Sequence, residues 1–309
     1  MRQRTHRPRV IVLGDLVVDV VLAPATELAA GTDVPGRVML RQGGSAATTA
    51  RWLGRSGARA SLIAAVGRDA EGRALVGAIR RDGVTPRVVR IAGLRTGRIG
   101  VYVAPSGERS FVQDRGATLR LAPEHLREAW FAGVELLHLP AYSLLDRPLG
   151  DAGRRAAHLA HSTGALVTVD LSSSGPLLAL GLEAARDVIR AAGPDLLFAA
   201  GSEARALAPT DEGLLDLAPI VVLKRGPDGV TILYRHEAGS ARLESATRVV
   251  AAADTTGAGD AFDAGFILAW LAARREGAAV TEGLSRSARA ANRLAARQLT
   301  VRREELSFG

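Results

Sequence analysis

Apolar residues fall into two rhythms along the chain. Arg9 to Asp15, Ala60 to Gly67, Glu135 to Leu139, Leu166 to Asp170 and Ile220 to Leu223 are short runs with mostly apolar interiors. Runs of this kind read as strands buried on both faces. Between them, the stretch from Gly43 through Leu53, Gly72 to Asp82, Gly150 to Ser162 and Gly283 to Gln298 carry alanine-rich helical spacing. Strands without a polar face need helices above and below. The alternation therefore predicts a three-layer α/β fold, a mostly parallel central sheet flanked by helices, as one domain over residues 1–309.

Two regions break that rhythm. Val20 to Leu40 carries several Pro and Gly residues and short β-prone pieces, and Thr96 to Asp114 alternates around a Ser106-Gly107 turn. Together they predict a small β-sheet outside the main layer, inserted at about residues 17–42 and 95–114. Two unconnected surface hairpins would leave the same pattern.

One stretch concentrates the chemistry. Thr247 to Ala253, short and rich in Val and Ala, reads as a strand; Asp254-Thr255-Thr256-Gly257-Ala258-Gly259-Asp260 follows; and Ala261 to Leu271 is apolar on nearly every face, a buried helix. Gly257 and Gly259 around Ala258 let a ligand come close to the backbone, and the first helix amides, at the positive end of the dipole, suit an anion. Asp260 sets a carboxylate where that anion would sit. As a base it would orient a substrate hydroxyl and take its proton while the loop amides hold the charge on a transferring phosphoryl group. As a plain helix N-terminal acid beside a structural turn it would look the same in isolation.

Composition narrows the classes. There is no cysteine, which excludes disulfides, thiolate zinc sites and cysteine nucleophiles. The net charge is +8, but the cations are spread along the chain, Lys224 is the sole lysine and aromatics are few, so no nucleic-acid partner is expected. The basic surface is still suited to attracting an anionic substrate. The basic start precedes an apolar run broken by Gly14, Asp15 and Asp19, neither signal peptide nor membrane span, and a cytoplasmic protein is expected. No Walker A pattern, strand-bound GxGxxG, internal repeat or histidine metal cluster is present.

Other candidates follow from position. Asp15 and Asp19 come after the first strand, where ligands of parallel sheets bind, and either acid also suits a turn. Gly43 and Gly44 permit close approach to a polyol, and the hydroxyls of Ser45 and Thr48 are within a turn of them. Arg115 follows the second inserted region, as a substrate contact or a solvated cation. Glu203 opens a helix after Asp195 to Ala200. Lys224, Gly226 and Gly229 end one strand and start a hairpin.

Thr255-Thr256-Gly257-Ala258-Gly259-Asp260-Ala261-Phe262 with Ala264-Gly265-Phe266 resembles the C-terminal signature of the PfkB/ribokinase family of carbohydrate kinases, and Gly43-Gly44-Ser45-Ala46-Ala47 with Leu53-Gly54 resembles its N-terminal glycine pair. The two lie in the family order, about two hundred residues apart. The resemblance runs from about Val10 to the low three hundreds. It implies a ribokinase-like fold and an ATP- and Mg2+-dependent kinase, with Asp260 as base and Gly257, Ala258 and Gly259 as anion hole. Asp19 matches the acid that binds substrate hydroxyls, Asp15 falls where some nucleoside kinases carry Asn, and Arg115 lies where several members contact substrate. Glu203 matches a glutamate that places magnesium through water. Lys224, Gly226, Gly229, Thr256 and Asn292 fall where the family lines its nucleotide, and Asp254 with Thr256 where it often keeps a monovalent cation such as K+. The inserted strands correspond to a lid that often pairs with that of a second subunit.

The chain departs from the family twice: Thr48 and Ala200 stand where Asn is usual. The first puts substrate identity in doubt, the second the positioning of magnesium. The resulting expectation is phosphorylation of a primary hydroxyl of a sugar. A ribonucleoside kinase and a non-catalytic sugar- or nucleotide-binding protein are the alternatives, with the scarcity of aromatics near the lid weighing against a nucleobase.

Overall fold

The computed structural model describes residues 6–237, 239–247, 250, 254–301 and 304–308. The strand expected over Thr247 to Ala253 lies mostly outside the described residues.

Seven strands run parallel through the centre. β1 (Arg9–Leu13) pairs with β4 (Arg59–Gly67) on one side and β8 (Leu136–Pro140) on the other. Beyond β4 lies β5 (Thr85–Ile91), and beyond β8 come β9 (Leu166–Asp170), β10 (Leu196–Ala200) and β11 (Ile220–Lys224). The antiparallel hairpin β12 (Val230–His236) and β13 (Gly239–Ser245) completes the far edge of this nine-stranded sheet. β5 was not legible from hydrophobic rhythm, because Pro86, Arg87 and Arg90 interrupt its apolar positions. Its place at the sheet edge explains why they are tolerated.

The interior strands are mostly apolar because both faces are covered. Ile11 and Leu13 point into one core with Ala152, Ala156 and Ile189, from α4 (Leu149–Ser162) and α6 (Leu182–Ala192). Val10 and Val12 point into the other, with Leu53, Leu75 and Phe266 from α1 (Ser45–Arg55), α2 (Ala70–Arg81) and α8 (Ala258–Arg275). The amphipathic α9 (Val280–Thr300) packs along α8 and adds Leu284, Ala288 and Ala291 to that second core. Burying each Val, Leu, Ile or Phe side chain of these cores stabilises the fold by about 1.5–3 kcal/mol. Three layers result, as the alternation predicts.

The inserted regions form one sheet, not two hairpins. β2 (Val17–Pro24) pairs antiparallel with β3 (Gly36–Gly43) and parallel with β6 (Arg98–Val103), which pairs antiparallel with β7 (Arg109–Asp114). The four strands make a separate sheet holding a small core of Val21, Met39 and Val101. Both entrances to it leave from the carboxyl ends of main-sheet strands, so it stands over the end of the sheet where α/β ligands bind.

Candidate active site

Helix α8 begins at Gly257, whose φ of 78° is left-handed, and Asp260 sits in its first turn. The amide of Ala258 turns back onto the Thr255 carbonyl at 3.2 Å. A Cβ at Gly257 would meet Thr48 Cγ2 at 3.1 Å, and Gln298 Nε2 donates to the Thr256 carbonyl at 2.8 Å. The loop is thus wedged between α1 and α9. The two glycine motifs meet here: the Ser45 hydroxyl, first in α1, donates to Asp260 Oδ1 at 2.5 Å.

The glycines of the N-terminal motif make room for protein groups. A Cβ at Gly43 would fall 1.9 Å from Asp19 Oδ1, so the Asp19 carboxylate occupies the space a side chain would fill. A Cβ at Gly44 would fall 2.3 Å from the Asp15 carbonyl, which accepts the Ala47 amide and so ties β1 to α1. The sequence reading gave these glycines to approach by a polyol; the structure gives them first to the two acids. Thr48 also differs from expectation. Its hydroxyl donates to the Gly44 carbonyl at 3.0 Å within its own helix, as a short β-branched hydroxyl readily does.

Arg115 is not a solvated cation. It is buried, bonding Asp15 Oδ1 at 2.7 Å, Asp146 Oδ2 at 3.0 Å and the Tyr142 carbonyl. Burial opposes its charge, but Asp15 and then Asp146 raise its pKa above the ordinary arginine value. It therefore holds Asp15 in place from behind. Asp15 and Asp19, with Gly43, Ser45 and Asp260, line an open cleft of about 800 Å3 under the lid. Phe111 and Gln113 of β7, and Tyr142 at the start of the short helix α3 (Tyr142–Leu145), line it too.

A buried charge network underlies the cleft. Lys224 at the end of β11 reaches across the end of β10 to Asp170 at the end of β9, at 2.7 Å, and to Asp263 of α8 at 3.3 Å. Burial works against its charge, but Asp170, Asp263 and Glu203 outweigh that and raise its pKa, so it stays an ammonium. Burial and then the Asp170 charge push Asp263 well up, with Lys224 opposing; Glu203 shifts upward for the same reasons. The resemblance implied a nucleotide contact for Lys224; in the fold its ammonium bonds the carboxylates of Asp170 and Asp263. Glu203, in the first turn of α7 (Gly201–Leu207), accepts the amide of the N-cap residue Ala200 at 2.6 Å, the half of a capping box that the N3 acid makes.

A second cavity, of about 470 Å3, opens on the other side of the anion loop. Gly226, Gly229, Val230, Ala258, Gly259 and Asn292 are among its lining residues. Asn292 donates to the Ala246 carbonyl at 3.2 Å, bracing the wall. Lys224, Gly226 and Gly259 line both cavities, so the two join at the start of α8 beside Asp260.

The lid touches this loop directly. Arg109 of β7 bonds Asp254 at 3.0 Å and the hydroxyls of Thr255 and Thr256, while Arg41 of β3 lies 3.6 Å from Asp254. Asp254 also accepts the Thr256 amide at 2.9 Å. Where the resemblance implied a monovalent cation, a guanidinium bonds both groups.

Comparison with known proteins decides what these features belong to. Residues 7–306 match the pfkB family carbohydrate kinase profile. The chain is a pfkB family member. As such it is an ATP-dependent carbohydrate kinase, with a phosphoryl donor and an alcohol acceptor. It is 27% identical over 269 residues to "Probable fructokinase-4" of Arabidopsis thaliana, covering 82% of this chain and 79% of that one. Its fold is shared with the adenosine kinase of Sinorhizobium meliloti, at a TM-score of 0.81 and 23% identity over 96% of this chain and 95% of that one. A provisional ribokinase II of E. coli solved with ATP and Mg2+ superposes at a TM-score of 0.77 and 23% identity, over 97% and 96% of the two chains.

The pfkB kinase's residues fit those cofactors. A nucleotide-sized cavity abuts a glycine-lined helix start, and no group of three or more His, Cys, Asp or Glu among the described residues is placed to hold a metal unaided. Magnesium keeps waters and binds through phosphates and one or two carboxylates, and Glu203 lines the cleft as one such carboxylate. No helix among the described residues is long and apolar enough to cross a membrane. Sequence reasoning missed Asp263, Arg109 and Tyr142 as members of this site, and put Asp170, at a strand end, only near it. Asp263 alone carried a local signal, one helical turn beyond Asp260.

Proposed function

We propose that this kinase transfers the γ-phosphoryl group of ATP to the primary hydroxyl of a sugar, with Asp260 as the base. The observation that carries this reading is the place of Asp260, in the cleft holding Asp15 and Asp19 and beside the junction with the cavity lined by Gly226 and Asn292. Two carboxylates in a cleft are acceptors for the hydroxyls of a polyol. Magnesium-bound ATP, when present, supplies the phosphoryl group.

The chain's own residues do the rest. Ser45 holds the Asp260 carboxylate over the helix start, and Asp260 orients the acceptor hydroxyl and takes its proton as the bond to phosphorus forms. Gly257, Ala258 and Gly259 present backbone at the positive end of the α8 dipole, favouring the developing charge. Glu203 stands in the cleft as the carboxylate for a magnesium-bound water. The lid, with Val38 and Val112 exposed on its strands, supports a homodimer made through that sheet.

Phe111 and Tyr142 favour a second reading. Two aromatic side chains in the cleft lining offer stacking faces for a base, so a ribonucleoside acceptor stands beside the sugar. ADP release from magnesium-ATP against pentoses, hexoses, sugar acids and ribonucleosides, for the native chain and Asp260→Asn in parallel, tests both. A sugar hit lost in the variant supports the first reading and a nucleoside hit the second. No rate above the variant's background for any acceptor overturns both.

A further inference from the structure

We infer that the rim of the main sheet opposite the active site holds a binding site for a small, multiply charged anion of phosphate type. Strand register brings the cluster together. Arg9 pairs with Arg59, Ser61 with Thr85 and Ile63 with Arg87 across β1, β4 and β5. Register partners share a face and alternate residues along a strand return to it, so Arg9, Arg59, Ser61, Thr85 and Arg87 share the face that carries Ile11, Leu13 and Ile63 further along. The core face of three adjacent strands thus begins with three arginines and two hydroxyls.

With Arg7 these residues line a cavity of about 360 Å3 whose lining includes no Asp or Glu. Among the described residues, none of these four arginines forms a salt bridge, although Arg7 bonds the carbonyls of Gly57 and Ala58. Glu135, beside Arg9 in the sheet, is engaged by His6 and Arg275. Arg87 lies against Trp130 with its Nε buried and without a hydrogen-bond partner. Burial, with the charges of Arg9 and Arg127 adding to it, depresses its pKa below the ordinary arginine value.

Like charges on register partners and a desolvated, unpaired donor each oppose folding, and a dianion in the cavity offsets both. Guanidinium forks and hydroxyls at one concavity are the donor set for phosphate oxygens, and the space exceeds a single phosphate. The site lies at the amino ends of β1, β4 and β5, whereas the kinase cleft lies beyond the carboxyl ends of the parallel strands. It is therefore separate from the anion loop.

Calorimetric titration of the full chain with inorganic pyrophosphate at low salt tests this. Two equivalents are expected to bind the native protein, at the anion loop and at the rim, and Arg59→Glu with Arg87→Gln is expected to lose one while kinase kinetics stay within about twofold. Equal stoichiometry and affinity in the two proteins overturns the proposal. Arg59→Glu alone, at an exposed strand start, guards against misfolding: without anion its unfolding midpoint is expected to rise by about 2 °C or more, because it supplies the missing negative charge. An unchanged or lowered midpoint argues against the site. A competing sugar phosphate separates the sources: displacement of the rim equivalent assigns phosphate esters, and none assigns inorganic polyanions.

Discussion

The Ser45 hydroxyl donates to the Asp260 carboxylate at 2.5 Å although 215 residues separate them. This bond joins the start of α1 to the start of α8 and fixes where the carboxylate of the proposed base stands. Asp260→Asn is expected to lower kcat by roughly 100- to 10,000-fold while nucleotide still binds, because the amide keeps the shape but accepts no proton. Ser45→Ala is expected to cost less, about tenfold, mostly in kcat. Steady-state kinetics with nucleotide binding by calorimetry check both; a Ser45→Ala variant altered only in KM would place Ser45 on substrate instead.

Lys224 carries the charge balance beneath the cleft. Lys224→Met leaves Asp170 and Asp263 facing each other without their cation, and breaking a buried pair in this way costs on the order of 3–5 kcal/mol. The native ammonium's pKa is raised, so its contribution is complete at neutral pH and is lost only as pH climbs past the unfolded lysine value. In the variant the buried Asp263, already pushed up by burial and then the Asp170 charge, takes up a proton more readily, so the cost is expected to shrink as pH falls. Urea midpoints at pH 8 and pH 5 measure this, and an equal loss at both would contradict it.

Arg109 bonds Asp254 and the Thr256 hydroxyl, where a monovalent cation was the expectation. A guanidinium already balances that carboxylate. Replacing potassium by tetramethylammonium at fixed ionic strength is expected to change the rate by less than about twofold, whereas Arg109→Ala is expected to lower it tenfold or so by freeing the lid from the loop. Strong potassium activation of the native enzyme would show that the guanidinium does not fill this role.

His138 is buried in β8, with Nδ1 2.9 Å from Thr168 Oγ1. Burial lowers its pKa from 6.5 to about 4, so it is neutral in the fold at pH 7. Between those values the unfolded chain binds a proton that the folded chain does not, so stability falls with falling pH, by up to about 3 kcal/mol over the whole window. His138→Leu is expected to flatten that part of the pH–stability curve. Thermal unfolding of both proteins from pH 7 to pH 4 measures the difference, and parallel curves would refute the assignment.

The extent to which the sequence disclosed this protein differs by element. Val10-Ile11-Val12-Leu13 announced a doubly buried strand, and the two glycine motifs with Asp260, Asp15 and Asp19 marked residues that line one cleft. These are local facts: a strand between two helix layers must be apolar on both faces, and a backbone that approaches a carboxylate or turns left-handed must be glycine. β5 stayed hidden because edge strands tolerate Pro86, Arg87 and Arg90.

Partners were not legible. That Ser45 bonds Asp260, Arg115 backs Asp15, Lys224 bridges Asp170 and Asp263, and Arg109 clasps Asp254 depends on the order β11-β10-β9-β8-β1-β4-β5 and on the four-stranded sheet above it. Spacing along the chain carries no record of which strand ends become neighbours. Sequence determined the elements and singled out Asp260, through constraints each residue meets within its own turn or strand. Tertiary structure alone decided which charges face one another, because that follows from crossovers joining segments 39 to 145 residues apart.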